Sequence, residues 1–421
     1  MNKKTVRAWI LYDWANTVFA LCVMSAFFPI LLKQYYLLPE NSYTSTEKLG
    51  LTNGISGIII AILSPILAVT IAAKDARKKS LILLSLLGAV STILIYFVGQ
   101  GQWVTAVILF ALANIGYRLA NLSYDALLPA VSSPQNAHNV SSVGFAAGYL
   151  GCIVLFSISI FMVSNPAAFG IKNPAEAAKL SILFTGLWWI FFALPLYFAK
   201  IPKEPRSDSN FSIKKCFEDL ATISVFAVKQ PLIRFFLIAY WFYIDGVHTF
   251  VMMAADYGLS LGFSQQTLMT ALLCVQVTAF PCAIILGNLA KKFGALKIIS
   301  FCIFVYIIIS LGAGWLMKTE GHFIIFACFV GCVQGAIQAL SRSLFSLIIP
   351  KDRSTELFGL YNTLGRFAVF AGPVFMVISI IIAQKTGFDT ETAKRIGVSS
   401  LALLFIIGFL FLIPVFRLEK I

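Results

Sequence analysis

Charged residues are scarce in this sequence. They make up 12% of the 421 residues, whereas hydrophobic residues make up 59%. Soluble domains carry about a quarter charged residues, so this balance excludes an ordinary soluble protein. The apolar residues are gathered in runs long enough to cross a bilayer, for which a helix needs about 20 residues. The composition therefore predicts a polytopic membrane protein.

Several functional signatures are also missing. No Gly-Lys-Ser/Thr string that would hold a phosphate occurs, so we do not expect direct coupling to ATP. Cys328 and Cys332 are four residues apart, but no second pair or histidine cluster accompanies them, which argues against a zinc site or a disulfide framework. Because no pair of nucleophile and base stands out either, we expect no enzyme activity, no cofactor and no metal.

Twelve stretches are long and apolar enough to span a membrane. They cover residues 6–35, 50–73, 80–99, 102–128, 138–164, 179–200, 232–257, 266–290, 296–317, 322–349, 355–384 and 396–416. With both termini inside, 22 of the 32 Lys and Arg residues fall on the inner side and eight on the outer side. This bias satisfies the positive-inside rule, so the net charge of +14 reflects topology and not a nucleic-acid partner. We expect a monomer in the bacterial cytoplasmic membrane, with both termini cytoplasmic.

The sequence is organised as two halves. Residues 1–200 and 232–421 each contain six of the predicted spans. Residues 201–231 form a charged linker, which the pattern predicts either as an amphipathic helix along the inner membrane surface or as a solvated connection. Parallel repeats of this kind build transporters with a substrate site near the midplane, where the halves meet. The predicted fold is an all-α membrane protein with twelve transmembrane helices in two pseudo-symmetric six-helix bundles.

An aspartate interrupts an apolar run in each half. Asp13 is followed by Asn16 at i+3 and by a threonine at i+4. Asp245 is followed in the same way by His248 and a threonine. These spacings place three polar groups on one helical face. A carboxylate costs several kcal/mol in a hydrocarbon layer, so its repetition predicts a function, although a polar network that only fixes helix packing is also possible.

Basic residues, like the two aspartates, lie deep within the predicted spans. Arg118 and Arg366 lie far inside predicted spans, and Arg342 lies nearer an inner end. Unpaired charges are expensive there, so we expect pairing among these groups, with water, or with a charged solute. A zwitterion suits them because a guanidinium can hold its carboxylate while an aspartate receives its ammonium group. The predicted substrate- and proton-binding residues are Asp13, Asn16, Arg118, Asp245, His248, Gln334, Gln338, Asn362 and Arg366.

Two basic loops resemble degraded copies of the loop motif of the major facilitator superfamily, Gly-x-x-x-Asp-Arg-x-Gly-Arg-Arg. In the first half Asp75 keeps the acidic position, whereas the second half keeps Gly287 but has Lys291 in place of the acid. The resemblance implies a gate near the inner face. We assign gating or conformational roles to Asp75, Arg77, Asp125 and Arg342.

Longer strings resemble one branch of that superfamily, the vacuole effluxer-like transporters, which include fungal autophagy-related amino-acid effluxers. These strings are LYDWANTVF (11–19), SYDALLP (123–129), GFAAGYLG (144–151), YIDGVHTF (243–250) and QALSRSLFSLIIPKDRSTELFGLYN (338–362). The resemblance implies amino-acid efflux by alternating access. We predict a secondary transporter of a small polar or zwitterionic solute, coupled to protons through Asp13 and Asp245. An exporter of lipid-like or amphiphilic compounds and a membrane sensor without transport remain the alternatives.

Overall fold

The structure is a computed structural model that describes residues 3–38, 45–74, 76–201, 213–260 and 262–418. The described chain is almost entirely helical. Its long helices are α1 (Lys3–Tyr36), α2 (Ser45–Lys74), α3 (Arg77–Ile95), α4 (Trp103–Ala126), α5 (Ala137–Ser164), α6 (Pro174–Phe198), α7 (Ile213–Lys229), α8 (Pro231–Ser260), α9 (Gln265–Phe293), α10 (Ala295–Leu316), α11 (Glu320–Ile348), α12 (Ser354–Lys385) and α13 (Thr390–Leu418).

Most of these helices match the predicted membrane spans. Within the described residues, 11 helices are long and apolar enough to cross a membrane. α12 has 32 residues and contributes a shorter apolar stretch, Gly372–Lys385, while α7 has 17 residues. In a bilayer the backbone must satisfy its own hydrogen bonds, which explains why the apolar runs are helices. The expectation of an all-α membrane protein with about twelve spanning helices is confirmed.

α1 is the least regular of the long helices. It is α-helical over Lys3–Val18 and then continues with wider π-helical turns over Phe19–Phe27 and Leu32–Tyr36. Pro29 lies in the short α-helical segment between these turns and supplies no N–H to the helix. π-helical turns are often found at functional sites, and those in α1 begin two residues after Thr17.

The chain divides into two compact units. The first unit comprises Met1–Ser133 and Ala147–Phe217, and the second comprises Pro134–Ala146 and Glu218–Ile421. Helix α5 therefore begins in the second unit and continues in the first. Each unit has its own helix packing, to which aromatic side chains contribute.

In the first unit, aromatic residues join α1 to α4 and α6. Trp9 Nε1 donates to the carbonyl of Tyr124 at 3.2 Å, and Tyr124 Oη donates to the carbonyl of Trp9 at 3.0 Å. Their rings stack with centroids 4.4 Å apart. Trp188 Nε1 donates to the carbonyl of Trp14 at 3.1 Å. Each of these polar atoms thus has a partner although the side chains lie among apolar helices.

In the second unit, α8 has a corresponding central position. Tyr243 Oη lies 2.7 Å from Ser341 Oγ and joins α8 to α11. The rings of Tyr240 and Tyr361 stack with centroids 4.0 Å apart and join α8 to α12. Because α1 also contacts α4 and α5 in the first unit, the same helix pairings recur in both halves of the chain, as a duplicated fold requires.

Candidate functional site

The best-defined polar site of the second unit is built around Asp245 on α8. This side chain is only 2% exposed. Its Oδ1 accepts the backbone N–H of Gly372 on α12 at 2.8 Å and the hydroxyl of Thr249 at 3.3 Å. Thr249 is four residues later on α8, so it lies on the same helical face. The carboxyl group therefore connects α8 to α12 through the hydrogen bond that it accepts from Gly372.

Gly372 is part of this site because it has no side chain. A Cβ on Gly372 would lie 2.6 Å from Asp245 Oδ1 and closer still to Thr249 Oγ1. The next residue, Pro373, has no N–H and perturbs the hydrogen-bond ladder of a helix. The Gly-Pro pair thus lets the backbone of α12 approach α8, where the Asp245 carboxyl group meets it.

The other predicted site residues of the second unit lie on α8, α11 and α12. His248, Gln334 and Gln338 are partly exposed, and Gln334 Oε1 is buried without a hydrogen bond to any residue that the structure describes. Asn362 Nδ2 donates to a carbonyl of its own helix at 3.0 Å. The side chain of Arg366 lies outside the described residues. Asp245 instead contacts Thr249 and Gly372, neither of which the sequence predicts as a site residue.

The first unit has a second polar cluster, between α1 and α4. Asp13 is 7% exposed and Asn16 is 1% exposed. Asn16 Nδ2 donates to Asn121 Oδ1 on α4 at 2.5 Å, and Thr17 Oγ1 donates to Asn16 Oδ1 at 3.4 Å. The structure therefore brings the polar face of α1 against polar residues of α4.

Arg118 lies on α4 beside this cluster. Its Nε donates to Asn114 Oδ1 at 3.0 Å, which orients the guanidinium along its own helix. Arg118 and Asp13 are both close enough to Tyr117 for their charges to act on its hydroxyl group. The first unit thus holds opposite charges on two neighbouring helices.

Asn114 and Asn121 were missed in the sequence, although a signal for them is present. With Arg118 they are spaced at i, i+4 and i+7, which places all three on one face of α4. Polar residues repeated at helical spacing inside a spanning segment indicate a face turned away from lipid. Gly372 has a weaker signal, the Gly-Pro interruption of an apolar helix.

The predicted gate residues are distributed over both units. Asp75 lies outside the described residues. Arg77 is buried at the start of α3, where its Nη1 lies 3.5 Å from the carbonyl of Ala126 at the end of α4. Asp125 is partly exposed at the same end of α4. These positions join the ends of α3 and α4 within the first unit.

Arg342, the fourth predicted gate residue, contacts the first turns of α5. It is 4% exposed on α11, and its Nε and Nη2 donate to the hydroxyl and the carbonyl of Ser141 at 3.0 and 3.2 Å. Its guanidinium carbon lies 4.5 Å from the ring centroid of Phe145. Nearby, His138 Nδ1 lies 2.8 Å from Ser343 Oγ. These contacts hold the first turns of α5 to α11 within the second unit.

The arrangement of the helices is the fold of the major facilitator superfamily. The structure of the human organic anion transporter MFSD10 (TETRAN) matches 98% of this chain and 100% of its own, with a TM-score of 0.71 at 13% identity. The proton:xylose symporter XylE, bound to 6-bromo-6-deoxy-D-glucose, matches 97% of this chain and 94% of its own, with a TM-score of 0.69 at 15% identity. At such low sequence identities, the structural similarity establishes the fold alone.

Sequence comparison identifies the branch. The model of the family described as "Vacuole effluxer Atg22 like" matches residues 1–50 and 40–419, and the chain belongs to this family. The uncharacterized MFS-type transporter YxiO of Bacillus subtilis is 35% identical over 418 residues, covering 97% of this chain and 94% of that protein. Autophagy-related protein 22 of Vanderwaltozyma polyspora is 22% identical over 455 residues, covering 89% and 85% of the two chains. The predicted relationship is confirmed.

Proposed function

We propose that this protein exports amino acids or similar zwitterions by proton-coupled alternating access. It does so as a monomer in a bacterial cytoplasmic membrane, with both termini in the cytoplasm. The proposal depends chiefly on one observation, the buried carboxyl group of Asp13 and the half-buried guanidinium group of Arg118 that α1 and α4 hold near Tyr117. Burial of opposite charges is costly unless they interact with each other or with a charged ligand.

Recognition of a zwitterion follows from the chemistry of these groups. Arg118 offers a planar fork of N–H donors that matches a carboxylate, and Asp13 offers an acceptor for an ammonium group. The amides of Asn16 and Asn121 add donors and acceptors between the two helices. A solute with both charges close together would satisfy both partners at once, whereas a neutral amphiphile would satisfy neither.

Proton coupling is assigned to Asp245. An ionised carboxyl group only accepts hydrogen bonds, whereas a protonated one also donates. The hydrogen bond from Gly372 to Asp245 therefore depends on the protonation state, and so does the packing of α12 on α8. A proton that favours one packing over the other shifts the balance between the conformations of the transporter.

The known relatives support the direction and the energy source. The family description names a vacuole effluxer, and the fungal relatives are named for autophagy. XylE, with the same fold, is named as a proton:xylose symporter. We infer export for this protein from the family description and the fungal relatives, and we infer proton coupling from XylE.

Transport by purified protein in sealed liposomes tests the proposal. Vesicles with an imposed pH gradient are given radiolabelled neutral, acidic and basic amino acids, alongside a fluorescent amphiphile. We expect gradient-driven flux of at least one amino acid and none of the amphiphile. Asp13→Asn and Asp245→Asn should each reduce flux by more than about tenfold, which corresponds to about 1.4 kcal/mol in the rate-limiting barrier.

Asp389→Asn is the matched control, because it makes the same chemical change at an exposed position before α13. It should transport at the unaltered rate. Binding of an amino acid without flux would instead indicate a sensor. Unchanged flux and unchanged pH dependence in both Asp13→Asn and Asp245→Asn would refute the assigned roles.

A further inference from the structure

A groove lies in the second unit where α10 ends and α11 begins. Its volume is about 460 Å³, and its lining residues are Trp315, Leu316, Lys318, His322, Ile325 and Phe326. This volume is within the range of about 300–1,000 Å³ that is typical of ligand sites. The groove combines an apolar wall with two basic side chains, and neither is used by the proposed transport site.

The apolar wall comes from both helices. Leu316 at the end of α10 is 64% exposed and Ile325 on α11 is 54% exposed. Phe326 lies directly on α10, because a Cβ on Gly312 would be 2.9 Å from its ring. This ring closes the space between the two helices and gives the groove a floor. The wall would stay exposed in water but suits a hydrocarbon chain.

The two basic residues of the groove are available to a ligand. Lys318 is exposed and makes no ion pair with any residue that the structure describes. His322 Nδ1 accepts the backbone N–H of Lys318 at 3.4 Å, which leaves Nε2 as the donor nitrogen of its neutral ring. The neighbouring acid, Glu320, accepts the backbone N–H of Ser264 at 2.8 Å. Two donors thus remain at the polar end of the groove.

The position of the groove along the helices indicates the level of its ligand. α10 ends at Leu316 and α11 begins at Glu320, so the short connection between them lies where two spanning helices leave the apolar layer. Tryptophan and lysine are common at that level of a membrane, with the ring towards the acyl chains and the ammonium group towards the head groups. In the groove, Trp315 and Lys318 are the tryptophan and the lysine at this level of the membrane.

We propose that this groove binds one anionic phospholipid. Lys318 and His322 Nε2 bind the oxygens of its phosphate, and an acyl chain lies along Leu316, Ile325 and Phe326. A basic residue near an anionic lipid surface contributes about 1 kcal/mol, so removal of the Lys318 ammonium group should weaken binding by about fivefold, whereas removal of His322 takes away one hydrogen bond to the phosphate. A zwitterionic lipid keeps its phosphate but adds a cation next to Lys318, and it should bind more weakly.

Thermal unfolding of the full-length protein in detergent, titrated with phosphatidylglycerol, tests this assignment. We expect a concentration-dependent rise in melting temperature, because a ligand that binds only the folded state stabilises it. The double variant Lys318→Ala/His322→Ala should lose most of this rise. Lys385→Ala removes an exposed lysine at the end of α12 and is the matched control, which should keep the full rise.

Titration with other ligands identifies the ligand, and a further variant identifies the groove. Phosphatidylcholine should produce a smaller rise, and glycerol phosphate, which has no acyl chains, should produce none. Ile325→Trp keeps Lys318 and His322 but fills the apolar wall, and it should also reduce the rise. An equal response to phosphatidylcholine, or a full response in the double variant, would overturn the proposal. A full response to glycerol phosphate would assign the site to a soluble phosphate ester instead.

Discussion

Gly148 on α5 lies directly against Thr17 on α1. A Cβ on this glycine would be 2.5 Å from Thr17 Oγ1 and 3.2 Å from the carbonyl of Asp13. Gly372 on α12 lies in the same way against the threonine that follows Asp245. Each half of the chain therefore has an aspartate, a threonine at i+4 and a glycine from a second helix. This shared arrangement is a structural trace of duplication, and it explains why a small residue is needed at both glycine positions.

Gly372→Ala should disturb the Asp245 site directly. The new methyl group would overlap the Asp245 carboxyl group, so α12 must move away and the 2.8 Å hydrogen bond must lengthen. We expect a stability loss of about 1–3 kcal/mol from overpacking, measured by unfolding in mixed micelles. Flux should also fall. Gly54→Ala on α2 meets no atom within 4 Å, so it should leave the flux unchanged and should not lower the stability. A Gly372→Ala variant with unaltered stability and flux would contradict the described contact.

The hydrogen bond between Asn16 and Asn121 should be measurable as a coupling energy. Asn16→Ala and Asn121→Ala each remove one partner and leave the other amide without it. A double-mutant cycle should give a coupling between about 0.6 and about 1.7 kcal/mol, which are the average and the maximum for polar pairs between membrane helices. Unfolding free energies of the four proteins supply the measurement. Additive losses in the double variant would show that the two amides do not interact.

Arg342→Lys should cost more than the same change at a surface arginine. Lysine cannot make both hydrogen bonds to Ser141 and cannot stack on Phe145 as a plane. We expect a loss of about 1–3 kcal/mol in unfolding free energy. Arg395→Lys is the matched control, since Arg395 forms an ion pair with a largely exposed Glu391, and such pairs are worth about 0–1 kcal/mol. Equal losses in the two variants would rule out the proposed difference.

The capping of α13 by Asp389 should make a small part of the stability depend on pH. Hydrogen bonds from the side chain and backbone of Thr392 hold the pKa of Asp389 below its ordinary value. A lowered folded-state pKa adds stability above the unfolded-state pKa of about 3.9, and this stability is lost as the pH falls through the folded-state pKa. The difference in melting temperature between the wild type and Asp389→Ala should therefore shrink between about pH 5 and pH 3. A difference that is constant over this range would disprove the assignment.

The helices and the buried aspartates could be predicted because their signals are local. Runs of apolar residues indicate spanning helices, since the bilayer leaves the backbone no other partner. Asp13 and Asp245 stand out because a carboxyl group contrasts with its apolar neighbours. Their depth within the spans also predicts Gln334, Gln338 and Asn362 as site residues. The polarity and depth of a residue in one helix, however, do not show which other helix faces it. Asn362, for example, donates to its own helix.

The sequence by itself determined that this protein is helical, lies in a membrane and is built twice from a similar plan, because composition and repeated spacing are properties of the chain alone. Only the tertiary structure decided the partners of the polar groups. Asp245 meets the backbone of Gly372, 127 residues away, and Asn16 meets Asn121, 105 residues away. Such contacts depend on how closely two helices approach and how each is rotated, and these quantities come from the packing of whole helices.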